Sequence, residues 1–156
     1  MGQVLSQDQI PSALAPLRAQ NKKIVFTNGV FDLLHVGHVR YLQEASRLGD
    51  ALFIGVNADA SVKRLKGPTR PIQNENDRAE ILAALGAVAF TCIFTEDTPA
   101  NLIEMVRPDI LVKGGDWKIE TIVGAPFVMS YGGKVMSLQF VDGKSTTKII
   151  EKSQLD

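Results

Sequence analysis

Residues 24–48 read IVFTNGVFDLLHVGHVRYLQEASRL, and their reading decides the fold. Ile24, Val25, Phe26 and Thr27 make a short apolar run rich in β-branched residues, closed by Asn28-Gly29, which is the pattern of a buried strand stopping at a turn. From Val36 onward, Val39, Leu42, Ala45 and Leu48 recur at three-residue steps and Gly49-Asp50 follow, so a helix is expected there. The connecting loop and the helix entrance hold both histidines of the chain, His35 and His38. A strand that feeds a loop and then a helix aims the helix's free N–H groups, and the positive end of its dipole, at whatever lies over the strand's carboxyl end; that is a phosphate site. Gly29 and Gly37 allow close backbone approach to a phosphate, or a positive φ. His35 and His38 can present their imidazoles on one side and stabilise charge that develops on phosphorus-bound oxygen. The bland alternative is a histidine pair that only packs or faces solvent; the strand before it, the helix after it and Asp32 between favour the functional reading.

The totals bound what surrounds this unit. A chain of 156 residues with 45% hydrophobic content is expected to form a single domain, 1–156, with residues 1–21 as a helical extension at its start. Seventeen basic and 17 acidic side chains give no overall field for nucleic acid, so a local cluster must handle any phosphate. The single cysteine, Cys92, lies in an apolar run and reads as a buried thiol; one Cys and two His do not make an ordinary zinc site, and no metal ligand is assigned. Neither a secretory leader nor a membrane-span pattern is present in the sequence, and a cytoplasmic location is expected.

Outward from the central unit, a helix is expected over 6–20, with Ile10, Leu14 and Leu17 on one face, and a second strand over 51–56. Strand, helix and strand in this order imply a parallel βαβ unit. Residues 61–71 form the most basic stretch, with four cations between Lys63 and Arg70 and no acid. A solvated loop is the ordinary meaning of such a run, but its place after the second strand puts it near the edge where open α/β sheets bind ligands, and a phosphate clamp is favoured. A helix over 74–85 follows, with Ala79, Leu82 and Ala83 inward. Arg78 lies in its first turn, the wrong end for the dipole, so it pairs with a local acid or reaches an anionic ligand. Further strands are expected over 88–94, 110–114 and 134–140, with Thr98-Pro99 opening a helix that carries Leu102, Ile103 and Val106. After the fourth strand Gly114-Gly115 suit close approach to a nucleotide, Asp116 can accept from a base or sugar, and Trp117 reads as a core anchor. The segment 119–131 is expected to be helical in part but is poorly patterned. Residues 142–147 (DGKSTT) place Ser145, Thr146 and Thr147 at a helix start facing the same edge. The expected fold is α/β, a Rossmann-like, doubly wound, five-stranded, mostly parallel sheet with helices on both faces.

HxGH after a strand, within GxFDxxHxGH, resembles the signature of the nucleotidyltransferase superfamily of cytidylyl- and adenylyltransferases. Residues 27–32 (TNGVFD), 62–71 (VKRLKGPTRP), 111–117 (LVKGGDW) and 142–147 together resemble the D-glycero-β-D-manno-heptose 1-phosphate adenylyltransferases, over about residues 22–152. The resemblance implies transfer of AMP from ATP to the anomeric phosphate of the heptose, giving ADP-heptose and pyrophosphate for lipopolysaccharide core or another surface glycan. It implies that His35, His38 and Lys66 act on the triphosphate, that Asn28, Gly29, Val30, Phe31, Gly37, Lys113 and Gly114 line the nucleotide pocket, and that Ser145, Thr146 and Thr147 cap the phosphates. Arg64, Arg70 and Arg78 are candidates for the sugar phosphate, and Asp32, Asp59 and Asp116 for heptose hydroxyls or a Mg²⁺ that arrives with ATP. In the family this activity often follows a sugar kinase in one bifunctional chain; a stand-alone enzyme, a homodimer, with a separate kinase supplying its substrate, is expected here. The alternatives are a cytidylyltransferase acting on glycerol 3-phosphate or another phosphoalcohol, and a non-catalytic nucleotide-binding module.

Overall fold

In the computed structural model, which describes residues 2–139 and 144–155, six parallel strands form one sheet. They are β1 (Gln3–Leu5), β2 (Ile24–Gly29), β3 (Ala51–Asn57), β4 (Phe90–Phe94), β5 (Ile110–Gly114) and β6 (Lys134–Leu138), in the order β1-β4-β3-β2-β5-β6. The helices are α1 (Ile10–Ala19), α2 (Val36–Ser46), α3 (Asp59–Lys66), α4 (Glu75–Ala83), α5 (Ala100–Val106), α6 (Ala125–Ser130) and α7 (Thr146–Ser153).

Period-2 alternation along the central strands divides the core into two layers. Ile24 and Phe26 of β2 point into a cluster with Ile10 and Leu14 of α1, Leu102, Ile103 and Val106 of α5, and Ala125 and Val128 of α6. Val25 points the other way, with Leu52, Ile54 and Val56 of β3, into a cluster with Tyr41, Leu42 and Ala45 of α2 and Ala79 and Leu82 of α4. Every residue of β3 is buried, as a central parallel strand requires. Cys92 is buried as expected, and burial, with the charge of Glu96, pushes its thiol up to about 11. No helix of the described residues is long and apolar enough to cross a membrane.

Two elements differ from expectation. The sheet has six strands rather than five, because β1, expected within a helical extension, adds in parallel to β4 with Gln3 opposite Phe90 and Leu5 opposite Cys92. The basic stretch begins as a helix rather than a loop: α3 runs to Lys66, buries Ser61 and Val62, and ends at Gly67, whose φ of 102° suits only glycine. Segment 119–131 holds a 3-10 turn, Ile119–Thr121, and then α6. Of the expected strand 134–140 and the helix start 142–147, residues Phe140, Asp142 and Gly143 lie outside the described residues.

Candidate active site

The strand order creates the site. β2 and β5 are neighbours, yet the chain leaves β2 towards β3 and β4 on one side and later places β6 on the other, so a crevice opens beyond the carboxyl ends of β2 and β5. A cavity of about 390 Å³ lies there. Asn28, Gly29, Val30, Phe31 and Asp32 line it from the end of β2, His35, His38 and Tyr41 from the entrance and first turns of α2, and Lys113, Gly114 and Trp117 from the end of β5. Lys66 and Arg70 close one side, and Lys144, Ser145, Thr146 and Thr147 the other.

The two imidazoles are stacked, 3.8 Å between centroids, and the Phe31 ring meets His38 edge-on at 5.3 Å. This arrangement is built by the backbone. Phe31 adopts a left-handed conformation, φ 49°, which folds its ring over Gly29, where a Cβ would lie 2.8 Å from it. A Cβ at Gly37 would likewise stand 2.8 Å from Nδ1 of His35. The His35 backbone N–H faces Nδ1 of His38 at 3.4 Å, which makes that nitrogen the acceptor and leaves Nε2 of a neutral ring as the donor. Burial, reinforced by the neighbouring His35, lowers His38 to about 4, so it is neutral at pH 7. His35 is lowered too, by burial and by the charge of Lys144. Its Nδ1 is buried without a partner among the described residues.

The hydroxyl run divides its labour. Ser145 caps α7 by accepting from the Lys148 N–H at 3.0 Å, and Thr146 donates to the Leu33 carbonyl at 2.6 Å, tying α7 to the histidine loop. Thr147 lines the cavity with its hydroxyl free of hydrogen bonds among the described residues. Tyr41, whose hydroxyl meets Thr27 Oγ1 at 2.7 Å, and Lys144 are lining residues that sequence reasoning did not select. Tyr41 was accessible as the residue one turn beyond His38 on the same helix face. Burial raises its phenol to about 12, so it stays protonated. Trp117 is no core anchor: it is 49% exposed, its Nε1 donates to the Gly114 carbonyl, and Lys113 lies 5.3 Å from its ring centroid. Burial lowers the Lys113 pKa.

Five candidates do not line the cavity. Gly37 is buried in the first turn of α2, beneath the His35 ring. Arg64 is turned away, bound to Asp97 at 2.7 Å and to the Thr95 carbonyl. Arg78 is buried and bound to Asp59 at 2.8 Å, which takes both out of the ligand site. Asp116 is exposed beside the cavity rather than within its lining. Asp32 does reach the lining, but its two oxygens accept from Arg70 Nε at 2.7 Å and from the N–H groups of Ile72 and Gln73 at 2.9 Å. Burial alone would raise its pKa; the two N–H groups and Arg70 outweigh it and hold the carboxylate below its usual range.

Among the described residues the lining therefore offers Lys66, Arg70, Lys113 and Lys144 against one carboxylate that is already satisfied. Such a set suits a polyphosphate and does not fit a resident divalent cation, which needs free carboxylate or carbonyl oxygens. Among the described residues no cluster of three or more His, Cys, Asp or Glu side chains is present.

The Cytidylyltransferase-like family model matches residues 26–152. Among curated proteins, the bifunctional protein HldE of Syntrophotalea carbinolica is 56% identical over 146 residues, covering 94% of this chain and 30% of the relative. That of Pseudomonas fluorescens is 55% identical over 149 residues, covering 96% of this chain and 31% of the relative. The chain thus spans about 30% of the length of the curated relatives it matches. Among solved structures, the lipopolysaccharide core biosynthesis protein from Thermoplasma volcanium GSS1 aligns with a TM-score of 0.66 at 32% identity, covering 78% of this chain and 99% of its own. The matched span runs from within β2 to the last turn of α7 and so takes in every cavity-lining residue, and the chain belongs to the cytidylyltransferase-like family of nucleotidyltransferases.

Proposed function

We propose that the chain transfers AMP from ATP to D-glycero-β-D-manno-heptose 1-phosphate, giving ADP-heptose and pyrophosphate for lipopolysaccharide core or surface glycan synthesis. The observation that carries this is the cavity at the β2/β5 crevice, where, among the described residues, two histidines with lowered pKa and four cations surround a space with no free carboxylate. The heptose is supported by the motifs shared with heptose 1-phosphate adenylyltransferases, by the similarity to bifunctional HldE proteins over most of the chain, and by the likeness to a lipopolysaccharide core biosynthesis protein.

The chemistry asks little of the protein beyond alignment and charge. An oxygen of the sugar phosphate, already anionic, attacks the α-phosphorus; the bond from the α-phosphorus to the oxygen bridging to the β-phosphorus breaks, and pyrophosphate leaves with that electron pair. No proton is moved, so no general base is needed. His35 and His38 donate N–H groups to the oxygens of the α-phosphate as charge builds there, Lys66 and Lys144 neutralise the departing pyrophosphate, and Arg70 holds the acceptor phosphate. Mg²⁺ enters with ATP, ligated by its phosphates. On the same reading the enzyme is a cytoplasmic homodimer, and a sugar kinase supplies its acceptor.

The test is pyrophosphate release with ATP and with CTP, in Mg²⁺, against heptose 1-phosphate, glycerol 3-phosphate and phosphocholine. Release with ATP and the heptose alone is expected. Release with CTP and an alcohol phosphate overturns the substrate and keeps the reaction class, and nucleotide binding without release makes the chain a binding module.

A further inference from the structure

Arg78 is among the largest fully buried side chains of the protein, 1% exposed, and the site chemistry above does not use it. Its helix gives no reason for it to be there, because the first turn of α4 repels a cation. An apolar side chain of similar volume fills such a place without the cost of desolvating a charge. What only a guanidinium supplies is several fixed donors at once. Nε donates to the Gln73 carbonyl at 2.9 Å, Nη1 to the carbonyls of Val30 and Asn57 at 2.8 Å each, and Nη2 to Asp59 Oδ1 at 2.8 Å. Those carbonyls come from the end of β3, the turn after β2 and the loop that follows Arg70. The Asp59 N–H is held in turn by Glu75 Oε1 at 2.8 Å.

The loop after Arg70 is gripped from both sides. The N–H groups of Ile72 and Gln73 and the Nε of Arg70 are taken by buried Asp32, while the Gln73 carbonyl is taken by Arg78. Gln73 is thereby fixed at both its N–H and its C=O. Arg70 spends Nε on Asp32 and keeps its terminal nitrogens for the cavity, with its side chain 12% exposed.

We propose that Arg78 is a positioning residue for Arg70, locking the loop whose guanidinium receives the phosphate of the acceptor. The inference rests on the reading that the cavity takes a phosphorylated acceptor beside ATP. ATP has several anchors on other elements, namely His35, His38, Lys66 and Lys144, whereas the acceptor phosphate depends on Arg70. Loosening the loop therefore falls on acceptor binding first.

The test uses Trp117, the single tryptophan of the chain, which lines the cavity, as a fluorescent reporter that needs no turnover. The full chain and its variants Arg70→Ala, Arg78→Lys, Asp59→Asn and Arg70→Ala/Arg78→Lys are titrated with ATP and, separately, with heptose 1-phosphate and with inorganic phosphate. Arg78→Lys is expected to weaken the sugar phosphate about tenfold and ATP less than about twofold, because a small displacement of a binding group costs that much at its own ligand. In the Arg70→Ala background the second change should add nothing. Equal weakening of both ligands, or effects that multiply in the double variant, would make Arg78 a general structural residue and overturn the proposal. A wild-type chain that binds ATP but neither phosphate overturns it as well. If Arg78→Lys does not fold, Asp59→Asn carries the same comparison, since the Asp59 side chain is 33% exposed and the change takes the charge from only one of the four bonds. Wild-type binding of both ligands without pyrophosphate release sinks the proposed reaction alone; normal turnover with unchanged acceptor affinity in the variants sinks this inference alone.

Discussion

A methyl group at Gly37 would lie 2.8 Å from both Nδ1 and Cε1 of His35, so the ring must move to admit it. Because Gly37 sits in the first turn of α2, with no positive φ, alanine there favours the helix by up to about 1 kcal/mol. The Gly37→Ala variant is therefore expected to melt within a few degrees of the wild type while its turnover falls about a hundredfold, the scale set by misplacing a catalytic group. Thermal melting beside pyrophosphate release separates the two effects. The histidines give a second check, since the chain has only two. In a proton NMR titration His38 should show a midpoint near 4 rather than near the ordinary 6.5, because burial disfavours its cation. Much of this residue-scale geometry is legible in the sequence: HxGH between a strand and a helix puts both histidines, stacked on each other, in the crevice beyond β2. Direction is not. Arg64 and Lys66 are two apart in a basic run, and only the helical period of α3, which sets such residues about 200° apart, turns Lys66 to the cavity and Arg64 to Asp97.

At the scale of elements, α7 buries none of its residues, and the bond from Thr146 to the Leu33 carbonyl is its tie to the histidine loop. Thr146→Val keeps the shape and removes the donor. Amide hydrogen exchange across α7 should then quicken with little change in melting temperature, since no core residue is disturbed. The same weakness of local signal explains which elements the sequence concealed. β2, α2 and β3 carry long apolar patterns of their own and were readable. β1 has three residues, of which only Leu5 is buried, and it exists because the edge of β4 lies beside it. Pairing between residues so far apart in the chain leaves no periodicity to find. α3 was hidden for another reason: its buried face is as narrow as Ser61 and Val62, so the exposed cations dominated its composition.

For the whole molecule, Asp32 and His38 set the response to acid. His38 is depressed from 6.5 to about 4, so the unfolded chain takes up this proton first and stability falls as pH drops between those values. Asp32 is also depressed, so its contribution, present above the unfolded carboxylate range, is lost on passing below it. Melting temperatures measured from pH 7 to pH 3 should decline in two stages, the upper reduced in His38→Gln to the part that His35 contributes and the lower removed in Asp32→Asn. The cavity's lysines have a further consequence for capture. In a chain of 17 cations and 17 anions their attraction has no support from net charge, and it fades within a Debye length of about 8 Å at physiological ionic strength. Steering thus acts only over the last nanometre of an anion's approach. Stopped-flow association of ATP should slow only gently as salt is raised, and long polyanions, which respond to broad fields, gain nothing from the chain's zero net charge.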